Sequence, residues 1–312
     1  MPSAPLAPAF ARGCFGDLVA TLQTALQQHG GFYTGTVDAD FGNGTQTAVQ
    51  RFQAEKNLPA SGRADAATWT AATGLPWPEL FERCLQLTAR FENNGYTMVE
   101  GNFDGAGITW GVIGYTLKHG EIQTLVHEAD LKQPGLLETC FGVDNAAAMR
   151  ALFLRNKQTE LMKWANSIST GKQSALVLEP WRTGFQSLGR APLVRQLQRD
   201  HARRDYFVPA QTMATNLGLR SDMAFALLFD AQVQNGGLST ASANAFKAAV
   251  AAGQLPTEKD QRLRLASTIA ASASAKWRQD VLDRKTAIAT GQGMVHGQAI
   301  DTWAWGLGDS VT

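Results

Sequence analysis

The sequence has few cysteines, no long apolar run and almost no net charge, and each shortage excludes a class of protein. No segment approaches the roughly 18 to 20 consecutive apolar residues that a membrane helix needs, so we expect no membrane insertion. The formal net charge is +1 and the basic residues are scattered through mixed-charge stretches. That pattern disfavours nucleic acid as a partner, because phosphate recognition needs concentrated positive charge.

The residues that usually bind metals or form disulfides show no useful spacing. The three cysteines, Cys14, Cys84 and Cys140, are odd in number and lack CxxC pairing, which predicts reduced thiols. The sequence contains no HExxH pattern, and His127, His201 and His296 lie far apart. We therefore expect neither a bound metal nor a cofactor. The N-terminal stretch MPSAPLAPAF also has no basic and apolar halves of a secretory signal, which predicts accumulation in the cytoplasm.

Length and composition predict two globular domains. The chain has 312 residues, 44% of them apolar and 18% charged, which exceeds the usual size of one domain. The segment GLPWP, at residues 74–78, is a natural boundary because glycine ends helices and proline disfavours helix in the residue before it. We therefore divide the chain into residues 1–75, with a net charge of −1, and residues 76–312, with +2.

The smaller part predicts three short helices. Leu18, Leu22 and Leu26 recur every fourth residue, which indicates an amphipathic helix over residues 17–29 with Asp17 as its N-cap. A second helix is expected over residues 45–55 and a third from Asp65 onward.

This part resembles the three-helix peptidoglycan-binding domain of cell-wall hydrolases over about residues 12–74. The matches are Leu22-Gln23, Tyr33-x-Gly35-x-Val37-Asp38, Phe41-Gly42, the helix around Val49 and Phe52-Gln53, Leu58-Pro59 and Thr68-Trp69. The resemblance implies that Tyr33, Asp38, Phe41 and Trp69 are characteristic residues of the module. From the residues alone, Asp38, Phe41 and Trp69 can equally form the turn and the core of a small helical domain.

The larger part is expected to be mainly helical. Apolar periodicity predicts helices over residues 78–91, 143–166 and 223–234, and two within residues 257–289. Residues 98–116, which are rich in glycine, threonine and β-branched side chains, predict strands and a hairpin instead.

Two carboxylates flank the start of that predicted hairpin. Glu92 follows the apolar helix, where the negative end of the helix dipole and Phe91 disfavour the charged carboxylate, as a general acid requires. Asp104 lies in the turn Asp-Gly-Ala-Gly, where Gly105 and Gly107 allow a tight bend and solvent keeps the carboxylate ionised. One protonated and one ionised carboxyl group are what cleavage of a glycosidic bond needs.

These residues are similar to the catalytic segment of chitosanases of glycoside hydrolase family 46, members of the lysozyme superfamily. The matching residues are Glu92-Asn93, Asp104-Gly105-x-Gly107-x-Thr109-x-Gly111-x-Ile113-Gly114 and Gly120-Glu121, followed by segments around Tyr206, Asp230 and Arg284. The fold class implied is mainly α: a three-helix module followed by an α+β lysozyme-like domain.

The resemblance also implies a role for each matching residue. Glu92 would be the general acid, Asp104 the general base and Thr109 the hydroxyl that positions the attacking water. Glu121, Tyr206 and Asn235 would bind substrate, and Asp230 and Arg284 would form a buried charge network, with a one-residue slip near Arg284. The family inverts the anomeric configuration, for which carboxyl groups roughly 6.5 to 9.5 Å apart are typical.

The substrate predicted from charge and module is bacterial peptidoglycan. Chitosan is a polycation, which a domain of charge +2 attracts poorly, and a wall-binding module concentrates the enzyme on its polymer. We therefore predict an inverting muramidase. The combination resembles phage or prophage endolysins, which implies a monomer that waits in the host cytoplasm for a separate holin-type factor and then acts on the wall in the periplasm. A chitosanase, a lytic transglycosylase and a non-catalytic wall-binding or phage structural protein remain alternatives.

Overall fold

The computed structural model describes residues 7–91 and 95–309, which are mainly helical with small antiparallel sheets. The helices are α1 (Asp17–Gln28), α2 (Asn43–Glu55), α3 (Ala66–Thr73), α4 (Leu80–Phe91), α5 (Glu121–Lys132), α6 (Leu136–Phe141), α7 (Val143–Arg155), α8 (Gln158–Ile168), α9 (Trp181–Arg190), α10 (Pro192–His201), α11 (Val208–Asn216), α12 (Asp222–Asn235), α13 (Thr240–Ala251), α14 (Glu258–Ser272) and α15 (Arg278–Thr290). A π-helical segment, Ala202–Phe207, joins α10 to α11.

Three small antiparallel sheets accompany the helices. The first contains β1 (Val99–Glu100), β2 (Thr109–Trp110) and β3 (Tyr115–Thr116) in that order. The second pairs β4 (Ser169–Thr170) with β5 (Leu176–Val177), and the third pairs β6 (Gln292–Val295) with β7 (Gln298–Asp301). The strands predicted within residues 98–116 are confirmed as the first of these sheets.

The chain forms two compact units. The first unit contains residues 1–91 and 205–312, and the second unit contains residues 92–204. These units are defined by contacts within the fold. The division proposed from the sequence, at residue 75, instead separates the expected wall-binding part from the expected catalytic part.

Two buried glutamines hold the loops of the N-terminal three-helix segment in the first unit. The Nε2 atom of Gln23, on α1, donates to Asp38 Oδ1 at 2.7 Å, and its Oε1 accepts from Ala39 N at 2.9 Å. Gln53, on α2, makes the equivalent pair of bonds, donating to the carbonyl of Arg63 at 2.8 Å and accepting from Gly62 N at 2.9 Å. Because a buried amide is costly unless both its ends are hydrogen-bonded, these two residues fix the path of the loops.

The residues that resemble the peptidoglycan-binding module form the interior and one turn of this segment. Phe41 and Trp69 are fully buried, and Tyr33 is buried with its hydroxyl donating to the carbonyl of Thr36 at 2.9 Å. The pKa of Asp38 lies below its usual value because its carboxylate accepts hydrogen bonds from Asp40 N and from Gln23. These contacts are structural, so the four residues define the shape of the module.

Two local sequence predictions were wrong. Asp17 is the first helical residue of α1 and Gly16 is its N-cap. The carboxylate of Asp17 therefore faces the positive end of the helix dipole without capping it. The single helix expected over residues 143–166 is two helices, α7 and α8, because Asn156 adopts a left-handed conformation with φ 46°. Asparagine tolerates that conformation better than most residues, and it ends α7.

The N-terminal segment pairs with the C-terminal segment inside the first unit. The backbone of Phe10 bridges to Ala64 and to Trp305, and Ala11 N donates to the carbonyl of Ala304 at 3.0 Å. The ring of Phe10 lies 5.5 Å from that of Trp69 and 4.8 Å from that of Trp77. The module is therefore packed into the unit through an aromatic cluster, which we define as Phe10, Trp69 and Trp77.

Helix α4 is bound to α12 by two buried polar contacts. Arg83, near the start of α4, places Nη1 at 2.5 Å from Asp222 Oδ2 at the start of α12. Thr88, in the last turns of α4, donates to Asp230 Oδ1 at 3.2 Å. Both acidic residues and Arg83 are buried. These contacts fix the position of α4 along α12, which apolar packing alone specifies poorly.

Within the described ranges, no helix has both the length and the apolar character needed to cross a membrane.

We predict that Phe10→Ala lowers the free energy of unfolding by about 3–5 kcal/mol, because it removes a fully buried ring from the aromatic cluster. Leu75→Ala is the matched control, since Leu75 is half exposed and its truncation should cost less than about 0.5 kcal/mol. Urea unfolding followed by circular dichroism measures both. Equal stability of the two variants would show that the contacts of Phe10 do not hold the first unit together.

Candidate active site

Asp104 lies in an exposed loop of the second unit that is pinned at both ends. Asp104 Oδ1 accepts from Ala106 N at 2.9 Å, which forms a local turn. Asn102 supports the loop from inside: its Oδ1 accepts from Gly107 N at 2.8 Å and its backbone N donates to Ser169 Oγ at 2.9 Å. The carboxylate is therefore solvent-exposed on a loop whose backbone is held by side chains.

Glycine is required where this loop meets the rest of the unit. A Cβ atom at Gly101 would lie 2.2 Å from the carbonyl oxygen of Ser174, which is backbone and cannot move aside. Gly107 has φ +81°, and a Cβ there would meet Met162 and Leu117. The predicted reason for Gly107, a tight bend beside Asp104, is confirmed by this geometry.

The first sheet presents one polar and one apolar face. Glu100 pairs with Thr109, and Thr109 pairs with Thr116, so these three residues share a face of the sheet. Their neighbours Trp110 and Tyr115 occupy the opposite face and are fully buried. Because side chains alternate along a strand, burial of Trp110 fixes Thr109 on the polar face.

Glu121 is joined to this polar face through Thr116. Glu121 is the first residue of α5, and its Oε2 accepts from Thr116 N at 2.8 Å and from Thr116 Oγ1 at 3.2 Å. The same hydroxyl contacts His119 Nδ1 at 2.8 Å. The structure thus brings together Thr109, Thr116 and Glu121 in the second unit, two of which were predicted as site residues.

Asp230 and Arg284 form a buried ion pair in the first unit, as their predicted network requires. Arg284 Nη2 lies 2.6 Å from Asp230 Oδ1, and Arg284 Nε donates to Oδ2 at 2.9 Å. Lys285, which had no predicted role, completes the network: its Nζ lies 2.5 Å from Asp230 Oδ2 and donates to Gln234 Oε1 at 2.7 Å. All three charged side chains are buried.

The sequence contained a signal for Lys285. Val281 and Ile288 are buried apolar residues seven positions apart on α15. Residues three and four positions after Val281 lie on the same helix face, so the period places both Arg284 and Lys285 towards the core.

Two positive charges keep the carboxylate of Asp230 ionised. Burial raises the pKa of Asp230, but the charges of Arg284 and Lys285 outweigh that effect and lower the pKa from 3.8 to about 2. Removing the carboxylate would therefore take its negative charge away from two buried cations.

This network contacts the end of α4. Thr88 donates to Asp230, and the guanidinium of Arg284 lies 4.6 Å above the ring of Phe91, the last residue of α4. Glu92, the predicted general acid, is the next residue in the sequence and lies outside the described residues. The network thus supports the helix that immediately precedes Glu92.

The remaining predicted substrate-binding residues lie in the first unit. Tyr206 is half-buried within the π-helical segment, a type of irregularity that is frequent at functional sites. Asn235 is the last residue of α12, and its buried Oδ1 has no hydrogen-bond partner in the described part of the chain. Substrate binding by Tyr206 and Asn235 stays a prediction.

Two comparisons with known sequences each match a part of the chain. Residues 15–72 match the family described as "Putative peptidoglycan binding domain". The chain is also 35% identical over 94 residues to a spore cortex-lytic enzyme of Bacillus cereus, an alignment that covers 30% of this chain and 32% of that protein. The chain thus spans about a third of the length of this curated relative.

Solved structures of chitosanases are similar to most of the chain. A mutant chitosanase from Bacillus subtilis MY002, complexed with 6 GlcN, has a TM-score of 0.50 at 19% identity and covers 72% of this chain and 95% of its own. The Gynuella sunshinyii chitosanase of glycoside hydrolase family 46, in complex with chitotetraose, has a TM-score of 0.46 at 16% identity and covers 72% and 98% of the two chains.

These findings confirm the predicted fold class. The first of the two structures shows that most of the chain has a chitosanase-type fold, which is mainly helical with small antiparallel sheets. The family match places a peptidoglycan-binding module at the N-terminus.

We predict that Asp230→Ala destabilises the protein by about 3–5 kcal/mol, because it removes the buried carboxylate that faces the buried cations Arg284 and Lys285. Asp283→Ala is the matched control: Asp283 is exposed on α15, the helix of Arg284 and Lys285, and accepts a hydrogen bond from Gln279 of that helix, so its loss should cost less than about 0.5 kcal/mol. Equal urea midpoints for the two variants would contradict a stabilising role of the network.

The carboxylate of Asp230 also makes the stability of the fold depend on pH. The folded-state pKa of Asp230 is depressed to about 2, so its contribution is complete above the unfolded pKa, near 4, and is lost as the pH falls through about 2. Urea unfolding between pH 6 and pH 2 should show a steeper loss of stability in the parent than in Asp230→Ala. Parallel curves would exclude this linkage.

Proposed function

We propose that this protein hydrolyses the glycan strand of bacterial peptidoglycan, with residues 1–75 binding the wall and residues 76–312 cutting it. The observation that carries the proposal is the combination of a peptidoglycan-binding module with a chitosanase-type fold in which Asp104 is exposed on a pinned loop. The relative from Bacillus cereus is named a spore cortex-lytic enzyme, which agrees with a wall substrate.

The proposed reaction is a single displacement by water. Glu92 donates its proton to the oxygen of the leaving sugar while Asp104 removes a proton from the attacking water, so the anomeric configuration inverts. Because Asp104 Oδ1 already accepts from Ala106 N, Oδ2 is the oxygen proposed to act as base. Thr109, held on the polar face of the first sheet, supplies a hydroxyl that orients the water.

The proposed acidity of Glu92 has a physical basis in its neighbours along the chain. It follows α4, whose last carbonyl groups concentrate partial negative charge, and it follows Phe91, which is buried. Both effects favour the protonated carboxyl group.

Peptidoglycan is favoured over chitosan by charge and by the module. Residues 76–312 carry a net charge of +2, which repels a polycation and suits a polymer whose peptides bear carboxylates. Within this proposal, we further propose that the bond cut is the one after N-acetylmuramic acid, which would make the protein a muramidase. A phage-type endolysin that waits as a monomer in the host cytoplasm for a holin-type factor stays a prediction.

We predict that Glu92→Gln and Asp104→Asn each lower the rate of fragment release from purified sacculi by roughly 10²–10⁴-fold, because each removes one partner of general acid–base catalysis. Asp144→Asn, which changes an exposed aspartate of the same unit, should release fragments at the parental rate. Mass spectrometry after reduction of the reducing ends identifies the fragments.

The same fragments distinguish the alternatives. Reducible N-acetylmuramic acid ends support a muramidase, whereas N-acetylglucosamine ends move the cut by one bond. Anhydro ends would replace hydrolysis by transglycosylation. Cleavage of chitosan with no release from sacculi would overturn the peptidoglycan proposal in favour of a chitosanase, and undiminished lysis by both variants would overturn the catalytic assignments.

We predict that Thr109→Val lowers kcat by at least about tenfold with little change in KM, because it keeps the shape of the side chain and removes only the hydroxyl that orients water. Thr109→Ser should retain most of the parental kcat. Steady-state rates on soluble glycan fragments test this, and a Thr109→Val variant with the parental kcat would remove Thr109 from the mechanism.

A further inference from the structure

We propose that a cavity beside Glu121 binds the amide-containing substituent of peptidoglycan, namely the lactyl group and the first peptide residue attached to the muramic sugar. The inference rests on the proposed function, and it adds the site that would distinguish peptide-bearing glycan from bare glycan.

The cavity lies within the second unit and has a volume of about 650 Å³. Residues of α5, α6 and α7 line it, including the apolar side chains Leu137, Phe153 and Leu154 and the polar side chains His119, Gln123 and His127. The volume and the mixture of apolar walls with a few polar groups are typical of small-molecule sites.

Gln123 indicates the chemistry of the occupant. Its side chain is nine-tenths buried, and its Nε2 donates to the carbonyl of Leu117 at 2.9 Å, which fixes the orientation of the amide. Its Oε1 is buried and has no hydrogen-bond partner in the part of the chain that the structure describes. A buried carbonyl oxygen needs a donor, and a peptide N–H is a donor of the right kind.

The cavity adjoins the candidate active site. His119 lines the cavity and contacts Thr116 Oγ1 at 2.8 Å, and Thr116 is hydrogen-bonded to Glu121. A sugar held by Glu121 therefore lies close enough for a substituent of a few bonds to enter the cavity.

The charge of the lining is compensated. Arg150 is bonded to Asp130 at 2.6 Å and to Glu138 at 2.6 Å, and these bonds raise its pKa further above its usual value. Among the residues that line the cavity, Asp130 is paired with Arg150, so this lining offers no unpaired carboxylate to a glucosamine unit. Leu154 is 88% exposed at the cavity, and an apolar methyl group of lactate or alanine would cover it.

The test compares peptide-bearing glycan fragments with the same fragments after amidase treatment, using the full chain. We expect kcat/KM of the parent to be at least about tenfold higher on the peptide-bearing fragments, since one well-packed small group is worth that much discrimination. Leu154→Asp should abolish the preference by placing a charge against the peptide, while the rate on stripped fragments stays parental.

Leu131→Asp is the matched control, because Leu131 is 67% exposed on α5 and does not line the cavity. It should keep the full preference. A second variant, Gln123→Met, removes the buried acceptor at similar volume, and its thermal unfolding is measured first. If it folds, the preference should fall as in Leu154→Asp.

The outcomes separate this inference from the proposed function. Equal rates of the parent on both substrates, or an unchanged preference in Leu154→Asp, would overturn the cavity assignment while leaving the hydrolase intact. No cleavage of either substrate would overturn the proposed function itself. A higher rate on stripped fragments would show that the cavity excludes the peptide.

Discussion

The carboxylate of Asp230 is the constraint on which the first unit depends. A fully buried carboxylate is tolerated only if charge and hydrogen bonds replace its water, and here α15 supplies Arg284 and Lys285 while α4 supplies Thr88. The helices α4, α12 and α15, which are far apart in the sequence, must therefore meet at this one carboxylate. The hydrophobic effect brings them together without direction, and this cluster specifies which residues face each other.

Two elements that carry or precede candidate catalytic residues are held in position by buried contacts. They are α4, which precedes Glu92, and strand β2, which carries Thr109. Helix α4 is bound to α12 near its start by Arg83 and Asp222 and near its end by Thr88 and Asp230. In the second unit, burial of Trp110 orients Thr109. Helix α4, which precedes Glu92, and the side chain of Thr109 are thus each held by neighbours that have no proposed catalytic role, which is how pre-organised sites are generally built.

Local structure could be predicted where one periodic pattern dominates. The leucines of α1 and the glycine that ends α3 fixed both elements to within a residue or two, and the threonine- and glycine-rich stretch correctly indicated the first sheet. The break at Asn156 was missed because apolar residues continue on either side of it. The left-handed backbone conformation of Asn156, which the apolar pattern does not indicate, ends α7.

Contacts between distant segments could be predicted only in part. Resemblance paired Asp230 with Arg284, but Lys285 was left out because burial of a lysine depends on a partner far away in the sequence. The pairing of Thr109 with Thr116 follows from the register between β2 and β3, which the sequence alone does not show. Glu92 lies outside the described residues, so its role rests on sequence and resemblance.

The pairing of Phe10 with Ala64 and Trp305 has a consequence for how such a protein can evolve. Wall-binding modules are often imagined as cassettes that recombination exchanges at a linker. Here an exchange at residue 75 would also break the pairing of Phe10 with Trp305. It would separate the rings of Phe10 and Trp69 from Trp77 and expose their aromatic surfaces. An incoming module would have to match that surface, so inheritance of the two parts together is favoured over shuffling.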